Sequence, residues 1–598
     1  MSTEAREELL AYYRGELDYL RTMGAEFARD HRDIAGRLGL SAHGASDPHV
    51  ERLIESFAFL TARIRRSLDS AQPRISTELL QLVHPHFATP TPSASIARFD
   101  IDPKQGKITT GHRIPRETPV FATAGEVTCR FRTCYPVTLW PFHVGHAAIE
   151  PSDQFDLGNA SCAAVLRIRI ECADDLRALE LDTLRLYLDG DPRTIAELYR
   201  LLFAGERRVA VRSDGNPELS WLAAQALAPV GFGADEVVLP DAPSAHPGFR
   251  LLHEYFTMPQ KYHFADLRGL QGCFAGRWAD LLILLDETPT PGVAVTSKTF
   301  VLGCTPIVNL FPKVVEPIRV THRQVEYRLL PDVRWERTTE IHSIQGVAAG
   351  ADGAPAGTVQ PFFSYRHDSG AGGPGIFWHA RREPSRRSDL PGHDVYLSFV
   401  DHTGGTAFPQ ERTVIVKTLC TNRQLAEHLQ AGTELQHELE GPVQRITCLF
   451  RPTRQLEPPT TGSAQWRLVS HLSLNQISLL DGTQGLPALR EILRLYSSSD
   501  PVAAEQQIRG LTGMTSRPVV RRVGVEAWRG FCHGTEVALQ FDAFAHSAMA
   551  YFLFASVLHR FLASYVSINS FVQLRAASTQ REGIWYEWPP MTGQQTVL

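Results

Sequence analysis

The sequence predicts a multidomain α+β protein: a helical N-terminal module, β-rich middle domains, and a mixed C-terminal domain with a long helix. Three observations predict it. Near the N-terminus apolar residues recur at spacings of three and four, as on one face of a helix. From Ser95 the spacing changes to two, the mark of strands with one buried face. A chain of 598 residues is too long for one core and divides into several. The expected division is 1–94 (helical), 95–345 (β-rich with helical insertions), 346–455 (β-rich with Gly-rich loops) and 456–598 (mixed).

In the N-terminal module the first stripe is Leu9, Leu10, Tyr13, Leu17, Leu20, Met23 and Phe27. Asp47-Pro48 supplies an N-cap followed by Pro at the first helical position. The stripe that follows is Val50, Leu53, Ile54, Phe57, Leu60, Ile64 and Leu68. A short third helix is expected around 76–83, ending before His84-Pro85. These antiparallel helices pack their stripes on each other or on a partner, and periodicity does not choose between the two.

Ala97, Phe99 and Ile101 then alternate with Arg98, Asp100 and Asp102, and 166–170 and 184–188 alternate likewise. Asp189-Gly190-Asp191-Pro192 is turn chemistry leading into a short helix, Thr194 to Phe203. Pro306, Pro312, Pro317 and Pro331 cut 300–330 into short strands. Gly-rich stretches at 346–357 and 370–375 are expected as surface loops, with strands at 395–400 and 413–417 beyond them. After a hinge at 452–463 come a helix near 486–496, strands near Val519 and at 537–541, and a long helix over about 544–566. No internal repeat is visible.

Composition excludes several classes. Hydrophobic residues at 43% and charged residues at 21% suit a globular chain and argue against wholesale disorder. A formal net charge of -5 provides no global field for nucleic acid. Arg dominates the cations, with Lys only at 104, 107, 261, 298, 313 and 417. Arg forks suit multidentate protein contacts, and genome base composition accounts for the bias equally well. The nine cysteines have no C-x-x-C pair and suit a reducing compartment. The polar N-terminus lacks the apolar core of a signal peptide. The most apolar run, 551–574, is broken by His559-Arg560 and by Ser567, Asn569 and Ser570, short of the roughly 18 residues of a spanning helix. A soluble cytoplasmic protein is expected, with no membrane insertion.

No catalytic motif stands out. Gly370 to Gly375 fits G-x-G-x-x-G literally, but it follows a polar turn and precedes a strand, the wrong setting for a dinucleotide. His84-Pro-His86 and His143-Val-Gly-His146 lack further ligands nearby for zinc. His437-Glu-Leu-Glu-Gly441 misses H-E-x-x-H at its last position. Cys304 and Cys420 lie among strand-forming residues without a paired base. Asn309, Asn422 and Arg423 are read as side chains that bind backbone in turns or bridge domains. Asp332, Glu336 and Glu340 do not rise above background. The aromatic-rich 253–264 segment is read as core, and the Trp585-Tyr-Glu-Trp588 end as docked on this chain or on a neighbour. No catalytic, cofactor-binding or metal-ligating residue is assigned.

Several segments carry a resemblance. They are Leu9 to Arg21, Ile34 to Leu40, Asp47 to Ile64, Leu79 to Phe87 and Thr89-Pro-Thr-Pro-Ser93. Further along come Cys304 to Phe311, Thr418 to Leu425, His471 to Asn475 and Ser567 to Phe571. Their order resembles the TssF (VasA, ImpG) family, a baseplate subunit of the type VI secretion system. The resemblance implies a structural subunit of the baseplate wedge and no enzyme. Its implied partners are TssG, other TssF copies, TssE, TssK and the VgrG spike, with the baseplate docked at an inner-membrane complex. Alternatives are a wedge protein of a phage tail or another contractile injection system, or a cytoplasmic hydrolase with a dispersed site. Subunit interfaces are expected on Leu9, Tyr13, Leu17 and Leu20, and on Phe552, Leu558, Phe561 and Tyr565 of the long helix, the competing reading being that each face closes its own core.

Overall fold

A computed structural model describes residues 3–37, 40–41, 44–45, 47–71, 79–81, 84–102, 108–125, 127–158, 160–205, 207–240, 245–321, 323–350, 357–363, 375–385, 387, 389–390, 392–401, 405–407, 409, 413–438, 440–458, 466–467, 470, 485–497, 501–522, 531–542, 550–579 and 581–593. The chain forms two compact units, one of Met1–Leu82 with Pro459–Leu472, the other of Val83–Pro458 with Ser473–Leu598.

The first unit is built on two long helices, Thr3–Asp30 (α1) and Pro48–Ala71 (α2). Asp47 caps α2 as its sequence implies, its Oδ1 accepting the N–H of His49 at 2.8 Å. The helices are antiparallel: Arg21 Nε donates to Glu51 at 3.0 Å, and Arg65 pairs with Glu16 toward the other end. Tyr13 meets Phe59 edge-on at 6.5 Å. Of the third expected helix only 79–81 lies among the described residues, and it is helical.

The second unit centres on a closed six-stranded barrel in the order Cys304–Val308, Ala94–Ile101, Val443–Cys448, Glu434–His437, Pro119–Ala124, Val127–Thr133. The inward set of the alternating strand, Ala97 and Phe99, packs with Val120, Phe131, Ile307 and Ile446 in its core. Closure leaves no barrel strand unpaired on either side, although Cys304–Val308 meets Val127–Thr133 only at Arg132 and Thr133. Barrel strands come from both sides of the expected 345/346 boundary, and the Glu340–Gly350 strand runs through it.

Beside the barrel lies a five-stranded antiparallel sheet with Trp278–Leu285 at its centre. That strand is buried on both faces, which its continuous apolar run requires. Helix Pro192–Phe203 begins where the turn chemistry places it, Asp191 Oδ1 accepting the N–H groups of Arg193 and Thr194 at 3.1 and 3.0 Å. A further eight-stranded sheet contains Phe311–Val314, Glu340–Gly350, His393–Asp401 and Thr413–Thr421. Here the expected loop at 346–357 is corrected: its first residues extend a strand, and a register shift between Ile344 and Gly346 accommodates the glycine. Residues 351–356 and 370–374 of the two Gly-rich stretches lie outside the described residues.

The C-terminal sheet orders Leu511–Arg522, Phe531–Phe541, Ser570–Ser578 and Arg581–Glu587. Phe531–Phe541 and Ser570–Ser578 run parallel, so the chain between them must cross over, and it does so through helix Ala550–Ala563. The expected start of that helix near 544 falls outside the described residues, and it ends at Ala563 rather than 566. Helix Gly485–Tyr496 buries Leu489, Ile492, Leu493 and Tyr496, the face its spacing predicts.

Candidate interaction surfaces

The two sets of expected interface residues have different fates. Phe552, Leu558 and Phe561 are closed inside this chain's own core, and only Tyr565 is half-buried. The physical reason is the crossover: the helix is clasped by the sheet it connects and by the C-terminal aromatics. Phe552 lies 5.3 Å from Trp588 and 5.1 Å from Tyr586, ring to ring, and Phe561 packs on Phe249 at 5.8 Å. Trp588 Nε1 donates to Ser556 Oγ at 3.2 Å, and the Tyr586 hydroxyl accepts the Gly205 N–H at 3.0 Å. The terminal aromatic segment therefore docks on its own chain. Large buried aromatics are core by default, and this face is corrected from interface to core.

On α1, Leu9, Tyr13, Leu17 and Leu20 are half-buried. The open surface lies on α2. Leu53, Phe57, Leu60 and Ile64 recur at spacings of four and three and are between 53% and 70% exposed. Ala58 and Ala62, on another face of the same helix, are fully buried. Tyr19, Met23 and Phe27 add exposed apolar surface on α1. A helix with one buried face and a second apolar stripe in water is built to meet another surface. The stripe was visible in the sequence; its exposure was not.

Polar residues of the family-like segments act as joints. Asn422 Oδ1 accepts the Arg130 N–H at 2.8 Å and an N–H of Asn309 Nδ2 at 2.9 Å. Asn309 Nδ2 also donates to the Arg130 carbonyl at 2.7 Å, and its Oδ1 accepts the Asn422 N–H at 2.7 Å. Asn422 Nδ2 reaches the carbonyls of Thr128 and Thr338 at 3.2 and 3.3 Å. Two fully enclosed amides thus tie the barrel to the segment entering the neighbouring sheet. Burial pushes the Cys304 thiol up, and lifts that of Cys420 to about 11, which disfavours a thiolate at either position.

A buried charged cluster, unmarked in the sequence, gathers at Glu340. Its Oε1 accepts the His393 backbone N–H at 2.8 Å, and its Oε2 accepts Gln455 Nε2 at 2.9 Å and lies 3.8 Å from Arg423 Nη1. His393 Nδ1 lies 2.8 Å from Glu457 Oε2, and Arg382 donates to the carbonyls of Ile341 and His342. Burial alone would raise the Glu340 carboxyl, but His393, Arg423 and Arg382 outweigh it and hold the group below its ordinary value. Burial likewise opposes charge on His393, and Glu340 and Glu457 outweigh it and raise its pKa. One imidazole and two carboxylates within 4.8 Å are the donor types of a zinc site. Charge decides against it. Buried Glu340 already faces the guanidiniums of Arg423 and Arg382, so a divalent ion would crowd further positive charge against two cations. The two carboxylates instead favour the protonated form of His393.

Enclosed polar joints and an aromatic-sealed core beside an open apolar helix stripe fit a protein that meets other proteins in a larger assembly. No helix among the described residues is long and apolar enough to cross a membrane. Comparison with known proteins agrees over nearly the full length. Residues 5–595 match the family described as "Type VI secretion system, TssF". The chain is 34% identical over 618 aligned positions, 99% of either chain, to the type VI secretion system component TssF1 of Pseudomonas aeruginosa. Its fold is like that of a chain in the type VI secretion system TssK-TssF-TssG baseplate subcomplex solved by cryo-electron microscopy. That likeness has a TM-score of 0.73 at 24% identity and covers 91% of this chain and 99% of that one. It is also like a chain of the baseplate complex from the type VI secretion system, with a TM-score of 0.60 at 22% identity over 98% of this chain and 100% of that one. The chain belongs to the TssF family of the type VI secretion system.

Proposed function

We propose that this chain is a structural, non-catalytic subunit of a type VI secretion baseplate wedge. It joins TssG and a further TssF copy, contacts TssE and TssK, and surrounds a VgrG spike on the cytoplasmic side of an inner-membrane complex. In this role it supports sheath assembly and the contraction that delivers effectors, acting through interfaces that hold one arrangement until it is released. The observation that carries the reading is family membership across the whole chain, 5–595. The exposed α2 stripe, Leu53, Phe57, Leu60 and Ile64, is the docking element, with Leu9, Tyr13, Leu17 and Leu20 of α1 shaping the hairpin beneath a partner helix. Burying such a stripe supplies roughly 1.5–3 kcal/mol per large side chain before the costs of association.

The test is co-expression of the full chain with TssG from the same gene cluster, affinity purification, and the mass of the eluted complex. A stable complex containing both chains is expected. A well-folded chain that ignores TssG overturns the wedge assignment.

A further inference from the structure

The barrel strand Val127–Thr133 is paired along one edge, from Val127 to Arg132, with Pro119–Ala124. On its other edge Cys304–Val308 reaches only Arg132 and Thr133. Where a neighbouring strand would continue, the side chains of Asn309 and Asn422 take its place, satisfying both backbone groups of Arg130 and the carbonyl of Thr128. Phe311–Val314 faces the same space from the neighbouring sheet. It pairs with Thr413–Thr421 on one side and with no strand on the other among the described residues. Between these two incomplete edges lies a groove of about 610 Å³.

The groove's chemistry is specific. Val314 and Trp335 line it and are 53% and 48% exposed, an unusual placement for a large indole. Lys313 Nζ is matched by Asp332 at 2.6 Å. Arg130 also lines the groove, is exposed, and has no carboxylate within ion-pair distance among the described residues. The groove therefore keeps one unmatched guanidinium beside an exposed aromatic. Pro312 and Lys313 on the open edge are residues that discourage indiscriminate strand pairing. Such an edge favours a matched partner over self-association.

We propose that this groove receives an extended segment of a partner protein that carries a carboxylate beside an apolar side chain. The carboxylate meets the Arg130 fork, the apolar group rests on Trp335 and Val314, and the segment's backbone runs along the open edge of Phe311–Val314. The proposal rests on the reading of this chain as an assembly subunit. It goes further by naming a second docking point in the other compact unit, with a different recognition chemistry from the helix stripe.

The test uses the full chain co-expressed with TssG and TssK, with the photo-crosslinking residue p-benzoylphenylalanine placed at Trp335 or, separately, at Val314. After irradiation the linked peptides are identified by mass spectrometry. Crosslinks from both positions to one acidic segment of a partner are expected, with at least tenfold lower yield in Arg130→Glu and an unchanged melting profile. If the complex forms and neither position crosslinks, the groove proposal falls while the baseplate reading stands. Crosslinks that persist in Arg130→Glu, or that land on a second copy of this chain, also overturn it. Failure of the unaltered chain to bind either partner removes the baseplate reading and the groove proposal with it.

Discussion

Replacing His84 with Phe removes a source of acid sensitivity that can be sized from the structure. His84 is 0% exposed, and neither ring nitrogen has a hydrogen-bond partner among the described residues. It is enclosed by Phe87, Phe249 and Tyr496 at ring distances of 4.8, 5.6 and 6.2 Å. Burial, helped by the nearby His86, His253 and His246, lowers its pKa to about 2. In the unfolded chain the ring titrates near its ordinary value, about 6.5. The folded pKa is the lower one, so the unfolded state binds the extra proton and stability falls as pH drops below about 6.5. Between pH 7.5 and 5.0 the loss is about 2 kcal/mol for this one side chain. His253 and His559, also buried and each lowered to about 3 chiefly by burial, lose about as much apiece. Together these three approach about 6 kcal/mol, comparable with the whole stability of many domains. Urea unfolding followed by tryptophan emission at pH 7.5 and 5.0 measures the effect. His84→Phe is expected to lose about 2 kcal/mol less than the unaltered chain across that interval. Identical losses in the two proteins would refute the reasoning.

Three further outcomes are expected. Phe561→Glu places a carboxylate in a fully buried aromatic site and abolishes folding, read as loss of soluble protein and of the circular dichroism signal. Phe57→Glu, on the exposed stripe, leaves the melting temperature within about a degree and weakens TssG binding at least tenfold, read by calorimetry or pull-down; an unchanged affinity would count against the stripe as docking element. Asn422→Ala strands the Arg130 N–H, removes one of two acceptors from Asn309 Nδ2 and the Nδ2 donor from the carbonyls of Thr128 and Thr338, at a cost of about 2–4 kcal/mol, and a melting temperature that stays put would dismiss the joint as ornamental.

Much of the architecture was legible because it depends on near neighbours in the chain. The alternation at 97–101 reads as a strand because one face must be buried, whatever lies on that face. Asp191-Pro192 reads as a helix start because its hydrogen bonds close within three residues. The Glu340 cluster was not legible, because its members come from positions 340, 393, 423 and 455–457 and meet only through folding. Asn309 and Asn422 were legible as bridges, but not which strands they would bridge.

Amphipathic periodicity by itself marked many of the helices and strands, though not the strand running into 346–350, and the ordered family-like segments pointed to the family. Only tertiary structure decided which apolar faces are spent and which remain open. Periodicity records that a face is apolar and carries no trace of what covers it. The crossover between two parallel strands consumes the face of Ala550–Ala563, whereas α2 buries its small residues and leaves Leu53, Phe57, Leu60 and Ile64 in water. The barrel shows the same limit: Ala97 sits between Thr305 and Cys448, partners hundreds of positions away that local spacing cannot name.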